Sequence, residues 1–220
     1  MGFAFGGRLG CRRFGADEAS GRGTGSPSAT RAGHLAPRMP GKFTFQMTSD
    51  DRRRPLPHKI LLGQRPTESV RHVFLKFLAW VLFHRDRLVI EGDTQNDAIP
   101  FEPDLLQLGY DMRPQLWIEC GDCSATKLDK LSVKCPEAAI WVVKASVEEA
   151  IALLRVMQRE EFRTGRYGIV ALDPEMVQEA EGLIRERNSF HWYRGELEQA
   201  RMQFDLNGLW FDHGFDVFRH

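Results

Sequence analysis

No apolar run in this 220-residue chain approaches the roughly 20 residues needed to cross a bilayer, which excludes a membrane-spanning helix. The basic N-terminal end is not followed by an uninterrupted apolar core of about 7–15 residues, because Arg8, Arg12 and Arg13 break it, so a secretory signal is excluded as well. With secretion unsupported, the expected location is the cytoplasm, and the four cysteines, at 11, 120, 123 and 135, read as thiols rather than as a disulfide framework. Cys120 and Cys123 form a CxxC without the second pair that a structural zinc site requires, so buried thiols are expected there. Net charge is also missing. Residues 1–38 hold six Arg against Asp17 and Glu18, so residues 39–220 of this neutral chain carry −4. A mildly acidic body excludes broad electrostatic adhesion to nucleic acid and confines any such contact to a local basic groove. There is no internal repeat, helix-turn-helix or zinc-finger module, and no GK[ST] phosphate loop. His84-Arg85-Asp86-Arg87 lacks the glycine-rich loop and DFG of a kinase and reads as the basic end of a helix.

What is present is an ordinary globular composition, 42% apolar and 27% charged, in a length that suits one domain with a sizeable core. The first 38 residues, with nine Gly and neither helical nor strand periodicity, read as a disordered leader or a misassigned start, and Met39 opens the folded part, 39–220. Lys42 to Met47 alternates with period two, and with Ile60-Leu61-Leu62 makes an opening pair of strands. Between them Arg52-Arg53-Arg54 reads as a solvated loop. Thr67 is expected to cap a strongly amphipathic helix from Glu68 to about His84, with Val70, Phe74, Phe77, Leu78 and Val81 on one face. A strand over 87–91, a central strand at Ala139-Ile140-Trp141-Val142-Val143, a helix capped by Ser146, a strand over 168–172 and a helix over 175–187 follow. His191-Trp192-Tyr193-Arg194 reads as an aromatic core strand, and residues 201–211 as a hairpin turning on Asn207-Gly208. The order predicts a mixed β-sheet flanked by helices, an α/β (α+β) arrangement.

Chemistry concentrates between Pro100 and Lys130. Pro103-Asp104-Leu105-Leu106 and Leu116-Trp117-Ile118-Glu119, separated by a polar turn around Gly109 and Asp111, read as neighbouring strands, with a helix over 124–134 directly after. Each strand carries one acid, and the helix carries Lys127 and Lys130. Two solvent-facing acids on an antiparallel pair would be the bland explanation. A hard Mg²⁺ ion, however, needs only one or two carboxylates plus a backbone oxygen such as that of Cys120, and a nearby ammonium would complete a site for attack on a phosphodiester.

That order of residues resembles the PD-(D/E)XK nuclease superfamily. Within it, residues 39–215 resemble the YaeQ family through Arg65-Pro66-Thr67-Glu68-Ser69 opening a helix that runs to Phe77-Leu78-Ala79-Trp80, through Leu116-Trp117-Ile118-Glu119-Cys120-Gly121, through Lys127 and Lys130, and through the hairpin before Leu209-Trp210-Phe211. The resemblance implies a restriction-endonuclease-like sheet flanked by helices, Mg²⁺ or Mn²⁺ held by Asp104, Glu119, the Cys120 backbone and a helix acid, Glu68, and DNA or RNA as partner. One departure is visible: Gly121 stands where the motif has lysine. The displaced lysine is expected on the next helix, Lys130 first and Lys127, one turn earlier, second. Two functions follow, a metal-dependent nuclease or a non-catalytic binding or regulatory protein on the same fold. The first requires the carboxylates of 68, 104 and 119 and the lysine nitrogen to converge.

Overall fold

The computed structural model describes residues 41–220, apart from 53, 54, 95 and 98. The expectations for residues 1–38 and for Arg53 and Arg54 lie outside the described residues.

Alternation of apolar and polar residues places β1 (Lys42–Ser49) with Phe43, Phe45 and Met47 on the inner side of a five-stranded sheet. β2 (Lys59–Gly63) pairs with it antiparallel on one side. On the other side β8 (Arg187–Glu196) runs parallel to β1, with Thr44 opposite Arg187, and β9 (Arg201–Leu206) and β10 (Leu209–Gly214) continue antiparallel. Asn207 and Gly208 both take positive φ, which a tight two-residue hairpin turn demands.

A second, six-stranded sheet contains β3 (Leu88–Ile90), β4 (Leu105–Leu108), β5 (Pro114–Cys120), β6 (Ala139–Lys144), β7 (Tyr167–Ala171) and β11 (Asp216–Arg219), in the order β11-β7-β6-β5-β4-β3. β5, β6 and β7 are parallel, and β3, β4 and β11 extend the sheet antiparallel. The single mixed sheet expected from the sequence is therefore corrected to two mixed sheets. Period-two patterning identifies a strand but not its neighbour, and the parallel pairing of β1 with β8 joins opposite ends of the domain.

The helix α1 (Val70–Leu82) sits between the two. Every residue from Val73 to Leu82 is buried, so the helix is buried all round rather than strongly amphipathic, as a helix covered on both sides must be. Phe77 stacks on Phe45 of the first sheet with centroids 3.7 Å apart, and Phe83, just beyond the helix, meets Trp141 of the second edge-on at 5.0 Å. α4 (Pro174–Leu183), capped by Asp173, joins this layer through Met176, Val177 and Ala180. It stops at Leu183, and the stretch expected as its last turn opens β8. The other face of the second sheet is covered by α2 (Ala125–Lys134) and α3 (Val147–Arg159), capped by Ser124 and Ser146. Along β5 the pleat sends Leu116, Ile118 and Cys120 towards α1, and Trp117 towards α2 and α3.

Candidate functional site

The helix start is shifted by two residues from the sequence reading. Ser69, not Thr67, is the cap, accepting the His72 N–H at 3.1 Å, so Glu68 precedes the helix instead of occupying its first turn. Its carboxylate folds back to accept the Arg65 N–H at 3.1 Å and faces a cleft of about 640 Å³, lined also by His72, Asp104, Glu119, Gly121 and Lys127. Asp104 likewise lies just outside its strand, because β4 begins at Leu105. That end position frees its side chain from the pleat. Oδ2 accepts the Cys120 N–H at 2.7 Å, and Oδ1 stands 3.0 Å from His72 Nε2. The same Nε2 is 3.6 Å from Glu68 Oε1. Among the described residues, Glu68, His72 and Asp104 form the group whose ligating atoms all fall within 4.8 Å of one another.

One lysine braces this group and a second pairs with the neighbouring Glu119. Lys76, one turn beyond His72 and fully buried, donates to both carboxylate oxygens of Glu68 at 2.8 Å and to Glu91. An ammonium removed from water needs such partners, since its desolvation would otherwise exclude it. Glu119 is the one acid of β5 and is 5% exposed; its Oε1 accepts hydrogen bonds from Trp117 Nε1 at 2.6 Å and Lys127 Nζ at 2.7 Å. Lys127 Nζ also donates to the Glu102 carbonyl at 2.7 Å, tying α2 to the loop before β4.

The sequence-derived residues thus separate. Glu68 and Asp104 come together, with His72 as a third member; Glu119 stands beside them with Lys127. Lys130, the first lysine candidate, is exposed and does not line the cleft. Helical side chains lean towards the N-terminus, and Lys130 starts about 4.5 Å further from it than Lys127, so only the earlier lysine reaches back to β5. Cys120 is fully buried with its thiol in the core, and its visible contribution is the N–H that holds Asp104. Burial pushes the Cys123 thiol up to about 11 and the Cys120 thiol well above its ordinary value, as inert thiols require.

Electrostatics separate the acids in the same way. For Asp104, burial pushes the carboxyl up, but the hydrogen bond and charge of His72, the Cys120 N–H and the Lys76 charge together pull it below its ordinary value. For His72, burial works against the charged ring, and Asp104 and Glu68 outweigh it, so its pKa is raised. Glu119 goes the other way: burial dominates Lys127 and Trp117, and its carboxyl is raised.

His72 and Lys76 escaped the sequence reading. The signal for Lys76 was one charge inside Leu75-Lys76-Phe77 on an otherwise apolar helix; the signal for His72 was its spacing of four from Glu68. Gly121 connects them to the missing motif lysine. It has φ +62, and a Cβ there would stand 3.4 Å from His72 Nδ1 and 3.6 Å from Leu75 Cδ1. A Cβ there would only touch the imidazole at ordinary contact distance, so the positive φ, not crowding, is what favours glycine at 121.

The YaeQ protein family model matches residues 39–193. The crystal structure of the YaeQ protein from Xanthomonas axonopodis pv. citri superposes with a TM-score of 0.63 at 21% identity, covering 82% of this chain and 97% of the other. The YaeQ protein from Pseudomonas syringae gives 0.62 at 14% identity, with coverage of 82% and 96%. At these identities the likeness is one of fold. No curated protein matches the chain. Since the family model spans well over half of its length, the chain belongs to the YaeQ family.

Proposed function

We propose that the cleft is the active site of a metal-dependent nuclease on a restriction-endonuclease-like fold, hydrolysing phosphodiester bonds of DNA or RNA. The observation that supports this reading is the convergence of Glu68, His72 and Asp104 at the floor of an open cleft, with the Glu119–Lys127 pair beside them. The donor set fits a divalent cation. Ligand bonds of about 2.1 Å put adjacent ligands about 3 Å apart, and Nε2 lies 3.0 Å from Asp104 Oδ1 and 3.6 Å from Glu68 Oε1. When bound, Mg²⁺ or Mn²⁺ would supply Lewis-acid polarisation of a phosphoryl oxygen and an acidified water. Lys127 presents an ammonium to the charge that develops on the phosphoryl group, and Glu119 holds that ammonium in place. Cys120 fixes Asp104 through the backbone, so the acid needs no reorientation when substrate arrives.

A specific observation favours the second reading, a non-catalytic binding protein. Glu68, Asp104 and Glu119 already accept protein donors, and the cleft is lined by seven acids against Arg65, Arg71 and Lys127, a balance that repels phosphate unless a cation intervenes. The deciding assay offers labelled single-stranded, duplex and branched DNA and RNA with Mg²⁺ or Mn²⁺ to the wild type, Asp104→Ala and Glu119→Ala. The nuclease reading expects cation-dependent cleavage that both variants lose while remaining folded. A wild type that cleaves none of these substrates leaves the binding role.

A further inference from the structure

We propose that the outer face of the five-stranded sheet is a binding platform for single-stranded nucleic acid, with bases stacked on Tyr193 and Trp210 and phosphates met by Lys59, Arg187 and Arg194. This face lies on the opposite side of the sheet from α1, so the inference does not rest on the cleft.

Phe45, Phe190, Trp192, Phe204 and Phe211 turn inward, and the pleat sends their strand neighbours outward. Of the stretch His191-Trp192-Tyr193-Arg194, only Trp192 is therefore in the core. A bulge between Trp192 and Arg194 leaves Tyr193 without a partner on β9, so its ring and the Arg194 guanidinium both emerge on the outer side. There three rings meet in a ridge. His191 and Tyr193 lie edge to face with centroids 4.2 Å apart, and Tyr193 and Trp210 do the same at 4.5 Å. Trp210 is 49% exposed. α1 and α4 pack on the inner side and α2 and α3 on the second sheet, so no helix among the described residues covers the ridge. Rings gathered in one exposed patch mark an interaction surface, and an indole already held by its neighbour loses little freedom when a ligand stacks on it.

Charge names the occupant. The acids beside the rings are engaged: Arg201 forks Asp212 at 2.7 and 2.8 Å, Asp205 accepts the Gly208 N–H at 2.8 Å, and Asp50 is 3.3 Å from His191. Lys59, Arg187 and Arg194 are exposed and make no ion pair among the described residues. From Arg187 to Arg194 the strand β8 runs about 23 Å, and Lys59 flanks it from β2 across β1. The cations thus bracket the rings over a length on the scale of a site for about four nucleotides. An uncharged ligand could stack on the same rings but leaves three cations unanswered, and a duplex hides its base faces. Unpaired bases on a phosphate chain answer both, the way an open sheet face recognises RNA.

The test titrates the full chain, in EDTA, into short fluorescein-labelled oligouridine and oligothymidine and into duplex DNA of equal length, read by anisotropy. EDTA leaves the acid-rich cleft without a cation. Single strands are expected to bind about tenfold or more tighter than duplex, with a loss of about tenfold or more in Trp210→Ala and most of the affinity kept in Trp210→Phe. Arg194→Gln flattens the dependence of log affinity on log salt by about 0.7. Binding of either strand upholds the inference, and the tighter one names the sugar. No single-strand binding in EDTA, equal affinity for duplex, unchanged affinity in Trp210→Ala, or affinity that salt does not alter overturns it, the last in favour of an uncharged occupant such as an oligosaccharide. Should Trp210→Ala fail to fold, the duplex comparison and the Arg194→Gln salt slope decide. Such binding without cleavage of any substrate upholds this assignment and removes the nuclease reading; cleavage without it does the reverse.

Discussion

Lys76 carries more of the site's architecture than any residue visible in the sequence motif. It is fully buried and holds Glu68 and Glu91 together, so Lys76→Met leaves two acids facing each other with only Arg65, 3.4 Å from Glu91, at their edge. Breaking one side of a buried ion pair costs about 3–5 kcal/mol, and a drop near the lower end is expected in denaturant unfolding, because Glu91 is 28% exposed on its side chain. Glu119 has the opposite energetics. Its raised carboxyl means that the folded state holds the proton more tightly than the unfolded chain, so stability falls as pH rises from the unfolded value, about 4.3, through the folded one, and stays at the lower level above it. Glu119→Gln removes that loss. Its thermal midpoint should match the wild type below about pH 4 and exceed it at pH 8, while cleavage activity disappears. At this scale the sequence showed the acids but not their partners. Asp104 and Glu119 were readable from the motif order and Glu68 from the family resemblance, whereas His72 and Lys76 looked like members of an apolar helix. Their importance depends on what folds against that helix, which a linear pattern does not contain.

Among the elements, the turn between β5 and α2 decides which ammonium stands beside Glu119. Gly121 occupies the left-handed region, which costs a residue with a Cβ roughly 1–2 kcal/mol, and it faces His72. Gly121→Ala should therefore destabilise by about that amount through backbone strain alone, readable by thermal melts. The lysine then has to come from α2, whose first turn, fixed by the Ser124 cap, brings Lys127 to Glu119. The helices and most strands were legible because caps and apolar periods are local signals: Ser124, Ser146 and the Asn207-Gly208 turn all stand where the pattern places them. The start of α1 was misread, since Thr67 and Ser69 are both acceptable caps and only the backbone of the Arg65–Glu68 turn distinguishes them. That two-residue shift matters, because it moves Glu68 out of the helix and into the cleft.

At the level of the whole molecule, α1 between two mixed sheets brings Glu68 and His72 to the carboxyl end of β5. The division of the strands into two sheets was not legible, because the central pairing of the five-stranded sheet, β1 with β8, is between segments far apart in the chain. On the proposed nuclease reading, the acid-rich cleft and the acidic body require nucleic acid to approach the cleft through a bound cation. Affinity for a duplex oligonucleotide is therefore expected to depend on added divalent ion and to vanish in EDTA, in contrast to a basic surface whose binding depends mainly on salt. The account stands or falls on where a cation sits. Crystals of the protein soaked in Mn²⁺ should give one anomalous peak within about 2.2 Å of Glu68 Oε1, His72 Nε2 and Asp104 Oδ1. A peak elsewhere in the molecule, or none in this cleft, would contradict it.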